Sequence, residues 1–174
     1  EKVEILNINK NCEYLQKVEF QPGSELKTIG SFAFDHTQIE EICIPRRVKR
    51  ICSNAFSSCF QLKRIDFEKD SELEIIEREI ATDSQIESIV LPASIQKLED
   101  KCFRNIKNLI KVTISPDNPN YKNCNNLIYG KSDTKSDKFD VLFFACRDIE
   151  TVTIPPFIKK ISPFAFSNSK IKTV

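Results

Sequence analysis

Methionine and tryptophan are absent from this 174-residue chain, glycine occurs three times and histidine once. With glycine only at 23, 30 and 130, neither a glycine-rich phosphate loop nor a dinucleotide fingerprint can be assembled, because both need closely spaced residues without a Cβ. Net charge is nearly absent too: 26 Lys and Arg against 25 Asp and Glu leave +1. That balance argues against nucleic-acid or anionic-membrane binding, which needs a net or clustered positive field. The longest apolar candidate, 141–146, is far too short to cross a bilayer. Among the seven cysteines (12, 43, 52, 59, 102, 124 and 146) there is no C-x-x-C, and their spacings fit no zinc module. The odd count leaves at least one thiol without an intrachain partner. Several of these cysteines interrupt apolar patterns, where a reduced Cys packs as a small hydrophobe, so structural thiols are expected rather than a disulfide framework.

What the chain does have is a repeat. At 40% hydrophobic and 29% charged it belongs with globular chains, and its Ile outnumber its Leu by 23 to 10. The pattern apolar-x-x-apolar-x-apolar occurs at Leu15-Val18-Phe20, Ile39-Ile42-Ile44, Leu62-Ile65-Phe67, Ile86-Ile89-Leu91, Leu109-Val112-Ile114 and Ile149-Val152-Ile154, and restarts at Ile171. The first positions are 24, 23, 24, 23, 40 and 22 residues apart, so the single outlier is one period plus about 17. A second half-motif follows each strand pattern: Leu26-x-x-Ile29-x-x-x-Ala33-Phe34, repeated from Val48 to Phe56 and from Ile158 to Phe166. Cys102 takes the Ala place before Phe103, and Ile80-Ala81 carries the large and small residues in exchanged order, as volume compensation between neighbouring coils would require.

Each unit therefore reads as a short strand, a turn, a second short extended segment and a tight helical turn on Ala-Phe. Two inward residues per strand cannot make a core alone; stacking the units does, which gives a quasi-one-dimensional solenoid. The β-branched Ile suits parallel strands. Pro45, Pro92 and Pro155 end the strands, having no N–H to donate.

Ile39-Glu-Glu-Ile-Cys-Ile-Pro45, Val48-Lys-Arg-Ile51 and Asn54-Ala-Phe-Ser-Ser-Cys-Phe-Gln-Leu62 together resemble the BspA-type leucine-rich repeat. The resemblance recurs along nearly the whole chain and implies an α/β solenoid of about seven coils, period 22–24. Parallel strands would form one face and short strands with helical turns the other. The third unit, without Ala-Phe, departs from the pattern. Residues 1–174 read as a single solenoid cut from a longer protein, with weak end-to-end association expected through the strand started at Ile171. The interruption at 115–148 looks like the family's recurrent insertion. Leu127 to Tyr129 and Val141 to Phe144 are its β-rich runs, forming a hairpin carried out from the stack, and Gly130 to Asp140 is the turn between them.

In register, one slot holds Cys12, His36, Cys59, Asp83, Ile106, Cys146 and Asn168. A metal or Cys/His site around His36 is the weaker reading of that column: Cys12 and Cys59 lie two coils, about 9–10 Å, apart, too far to share a zinc ion. Paired acids such as Glu40-Glu41 are tied to no second group and read as solvated surface. The outward strand positions form two further columns. One contains Lys17, Glu41, Arg64, Ser88, Lys111 and Thr151, the other Asp66, Val90, Thr113 and Thr153. These residues are the expected partner-binding set, since a solenoid's strand face is an extended docking surface.

The expected protein is thus a non-enzymatic protein-interaction module without cofactor or nucleic-acid partner. The resemblance implies a cell-surface or extracellular adhesin whose ligand is a host matrix protein such as fibronectin. The alternative is a cytoplasmic scaffold using the same face, which the free thiols and the lack of any N-x-[ST] sequon favour.

Overall fold

The computed structural model describes residues 3–7 and 12–174. Four long strands, β3 (Glu41–Ile44), β5 (Arg64–Phe67), β7 (Ser88–Leu91) and β9 (Lys111–Ile114), come from the first half-motif. Their side chains alternate outward and buried, as period-2 sequences with Ile or Val at the inward places demand. The second half-motif gives two-residue strands: β2 (Thr28–Ile29), β4 (Arg50–Ile51), β6 (Ile75–Ile76) and β8 (Lys97–Leu98). Together with β1 (Ile5–Leu6) they form one parallel sheet in the order β1-β2-β4-β6-β8. Between these two faces lies the core, with Ile29, Ile42, Ile51, Ile65, Ile76, Ile89 and Leu98 all buried. Phe34 and Phe56 stack with centroids 5.1 Å apart, and the column breaks at Ala81, where Ile80 fills the core instead.

The Ala-Phe segments are not helical turns, and no helix is present among the described residues. Each segment instead carries two left-handed residues four apart: Phe32 and His36, Asn54 and Ser58, Glu79 and Asp83, Lys101 and Asn105, Phe164 and Asn168. All but Ser58 and Glu79 occupy the third position of a hydrogen-bonded i→i+3 turn, the place that is left-handed in a type II turn. The amides explain why no helix forms. Ala33, Asp35 and Thr37 donate back to Gly30, Phe32 and Phe34, while Phe32, Phe34 and His36 donate onward to Ser53, Ala55 and Ser57 of the next coil. Every second N–H is spent between coils, so none is left for the i→i−4 bonds of a helix.

The insertion is not carried out from the stack either. It contributes β10 (Tyr121–Cys124), β11 (Leu127–Gly130) and β12 (Val141–Ala145), and β12 pairs in parallel with β13 (Lys160–Ile161), the next short strand of the solenoid. Its sheet therefore stands inside the stack. Ile128 and Phe144 face the core of the preceding coils, whereas Leu127, Tyr129, Leu142 and Ala145 join Val152 in a second cluster. Being covered on both sides is why 127–129 and 141–146 are continuous apolar runs rather than alternating ones. Asn125 and Asn126, at φ 51° and 59°, make the two-residue β10–β11 turn, as Asn tolerates. The insertion also satisfies groups that the missing coil leaves open. Tyr121 Oη accepts the Leu98 N–H at 2.9 Å. Buried Asn118 donates to the Ala93 and Ile95 carbonyls and accepts from the N–H of Asn120 and Tyr121.

Candidate functional site

The columns expected on the outward face exist in register. Glu41 lies opposite Arg64, Cys43 opposite Asp66, Ser88 opposite Lys111 and Val90 opposite Thr113, while Thr151 bridges Thr173. Lys17, Glu41, Arg64, Asp66, Ser88, Val90, Lys111, Thr151 and Thr153 are exposed, and Thr113 is half-buried. Arg64 is the hub of the charged end, with Nη2 2.6 Å from Glu41 and Nε 2.8 Å from Asp66. Lys17 pairs with Glu19 at 2.5 Å, which holds its ammonium above and the Glu19 carboxyl below their ordinary pKa values. Of these pairs Glu41–Arg64 crosses from one coil to the next, whereas Lys17–Glu19 and Arg64–Asp66 each lie within a single coil.

The face is not uniform. Ladders join β3 to β5 and β7 to β9, but none joins β5 to β7, and a cleft of about 540 Å³ opens there. Asp66, Phe67, Glu68, Asp70, Val90 and Ser94 line it, with no cation among its lining residues. A wider concavity of about 1030 Å³ lies over the preceding coils, lined by Lys17, Glu19, Glu41, Arg64 and Asp66, so that Asp66 belongs to both. Glu68 and Asp70 escaped the column reading, but loop length was a signal for them. Leu73 follows Phe67 by six positions, as Leu26 follows Phe20, whereas Val48 follows Ile44 and Ile95 follows Leu91 by four. The two extra residues form a turn with Asp70 in the left-handed region, at φ 57°.

The His36 column is not brought together as a site. The His36 imidazole is exposed and pairs with neighbouring Asp35, Nδ1 to Oδ2 at 3.0 Å. Cys59 is buried, donates from Sγ to the Phe34 carbonyl at 2.9 Å and touches Thr37 Oγ1; burial pushes its thiol up to about 11, the wrong direction for a nucleophile. Among the described residues no group of three His, Cys, Asp or Glu is placed to hold a metal ion.

Stacked short coils with a parallel strand face define a leucine-rich-repeat solenoid. The model of the BspA-type leucine-rich repeat region matches in six copies over residues 7–110 and 74–174, and the chain belongs to that family. Among solved structures it is similar to the pneumococcal vaccine antigen PcpA, at 27% identity and a TM-score of 0.79 over 88% of this chain and 37% of that one. It also shares its fold with a leucine-rich repeat protein from Eubacterium ventriosum, at 19% identity and a TM-score of 0.66 over 87% and 48% of the two chains. The chain therefore spans less than half the length of either. No curated protein matches it in sequence. Leucine-rich repeat proteins act as protein-interaction modules, and among the described residues no helix is long and apolar enough to cross a membrane.

Proposed function

We propose that this solenoid is a non-enzymatic adhesion module that docks a protein ligand on its long-strand face, centred on the cleft between β5 and β7. The observation that carries the reading is that cleft: a break in the ladder at which Val90, 63% exposed, stands beside acidic Asp66, Glu68 and Asp70. An exposed aliphatic side chain beside a one-signed pocket fits a partner presenting an apolar residue next to a Lys or Arg. The parallel ladders hold the surface in place before binding, so little ordering entropy is lost. Similarity to a vaccine antigen supports a surface location, and an extracellular matrix protein is the ligand we propose there.

Binding of the chain to surfaces coated with fibronectin, laminin or collagen tests this. Val90→Arg, which fills the cleft mouth with a bulky cation without touching the core, should abolish the signal, and Asp66→Lys, which reverses one of the cleft's acidic charges, should reduce it. Retention of full binding by Val90→Arg refutes the site. The scaffold alternative inside a reducing compartment is favoured by the exposed thiols of Cys43 and Cys124. Their oxidation state in protein taken from its native source decides between the two.

A further inference from the structure

Away from the long-strand face, the insertion builds a cleft of different chemistry. It lies between residues 137–140, at the root of the β11–β12 connection, and residues 156–159, leading into β13, and encloses about 490 Å³. Its floor is apolar. Phe157 is 54% exposed, yet it is braced from beneath by the buried ring of Tyr129, 6.3 Å away. Phe139 is held by two ammonium groups over its ring, Lys122 at 4.6 Å and Lys131 at 5.0 Å. The rim carries Lys122, Lys138 and Lys159. Of its two acids, Asp140 is already satisfied: it is buried, accepts the Ser132 N–H and Oγ–H at 2.9 and 2.8 Å, and faces Lys159 at 3.5 Å. That leaves Asp137 as the one uncommitted carboxylate against the rim lysines.

We propose that this cleft binds an acidic peptide segment of a partner protein, seating one aliphatic or aromatic side chain on Phe157 and Phe139 and its carboxylates on Lys122, Lys138 and Lys159. The charge of the rim is complementary to such a segment, and a floor of two fixed rings is the kind of pocket that accepts an apolar anchor. An acidic polysaccharide fits less well. Its rings carry no aliphatic or aromatic side chain to bury on Phe157 and Phe139, so the apolar floor would stay unfilled. The proposal is independent of the long-strand face, since the two surfaces share no residue.

The test is fluorescence anisotropy of the whole chain with a labelled peptide of alternating Glu and Phe or Leu, beside its Glu→Gln counterpart and a hyaluronan oligosaccharide. The acidic peptide should bind, and weaken several-fold as salt rises past physiological strength. Phe157→Ala should weaken it at least about tenfold, and Lys138→Glu should do so with Phe157 intact. Val90→Arg should leave it unchanged, so that failure here and failure of the docking face are separately visible. Thermal melts verify that each variant folds, and Lys138→Glu, a change at an exposed lysine, keeps the test open if Phe157→Ala does not. Equal binding of the Gln peptide, tighter binding of the oligosaccharide, indifference to both variants, or no binding of the acidic peptide at millimolar concentration overturns the proposal.

Discussion

Arg147 is buried at 3% exposure and has no carboxylate partner among the described residues, a costly place for a permanent cation. Its Nη2 donates to the Phe103 carbonyl at 2.8 Å and Nε to the Ile106 carbonyl at 3.3 Å, with the guanidinium 4.5 Å above the Phe144 ring and Nη1 unpartnered. Burial lowers its pKa to about 10 from an ordinary 12.5. At about 1.4 kcal/mol per pH unit, holding the charge there costs about 3 kcal/mol. The folded-state value is the depressed one, so that penalty is fully present below pH 10 and lifts only above it. Two hydrogen bonds from a charged donor, about 1.5–3 kcal/mol each, and the ring contact offset it. Arg147→Met removes penalty and bonds together. Neither carbonyl is orphaned, because Phe103 still accepts from Ile106 N–H and Ile106 from Leu109 N–H, so a net loss of about 1 kcal/mol is expected. Arg147→Lys keeps a more strongly hydrated charge, loses the planar fork that reaches two carbonyls, and should cost about 3 kcal/mol. Thermal melting followed by far-ultraviolet circular dichroism should then show a drop of about 2–4 °C for Met and about 6–12 °C for Lys. A lysine variant as stable as the methionine one refutes the reasoning.

The Glu77 carboxylate, although burial works against it, is held below its usual pKa by Arg50 at 2.8 Å and by the Ser53 N–H and hydroxyl. Its contribution is present above about pH 4.5 and lost as pH falls through the lower folded value; Glu77→Gln should cost about 1–2 kcal/mol at pH 7 and flatten the loss of melting temperature between pH 5 and 3. Thiol labelling should reach Cys124 before Cys43, because partial desolvation and then Glu68 and Asp66 oppose the Cys43 thiolate, while Cys59, Cys102 and Cys146 should react only on unfolding. Labelling of Cys102 at the rate of Cys43 contradicts the assigned register. Gly30→Ala should lower the melting temperature by several degrees, since its Cβ would overlap the Asn7 side chain and lie 2.9 Å from the Leu6 carbonyl oxygen; an unchanged melt overturns that contact.

Strand register was legible because inward Ile42 and Ile44 or Val112 and Ile114 sit two apart, and a slip of one residue would put both in water. The helical turn was misread because Ile29-x-x-x-Ala33-Phe34 has helix-like spacing, and its left-handed residues include Phe32, Glu79, Lys101 and Phe164, types that announce nothing. The β11–β12 hairpin was readable from its apolar runs; β10, with only Tyr121 and Cys124 apolar, was not. On the outward face, the Glu41–Arg64–Asp66 cluster followed from columns alone. The break between β5 and β7 did not, because a cleft depends on how far two coils separate, and only the longer loop after Phe67 hinted at it.

A solenoid without interruption transmits structure from neighbour to neighbour, and a disturbance that starts anywhere travels through every coil. The sheet formed by β11 and β12 behaves as a bulkhead. Coils 26–114 complete their core against Ile128 and Phe144, and the coil from Ile149 completes its own against Leu127, Tyr129 and Leu142 on the opposite side. Each compartment is closed by a surface that the other does not supply. Loss of the coil from Ile149 therefore uncovers Leu127, Tyr129 and Leu142 on one face of the hairpin and leaves Ile128 and Phe144 packed against the preceding coils on the other.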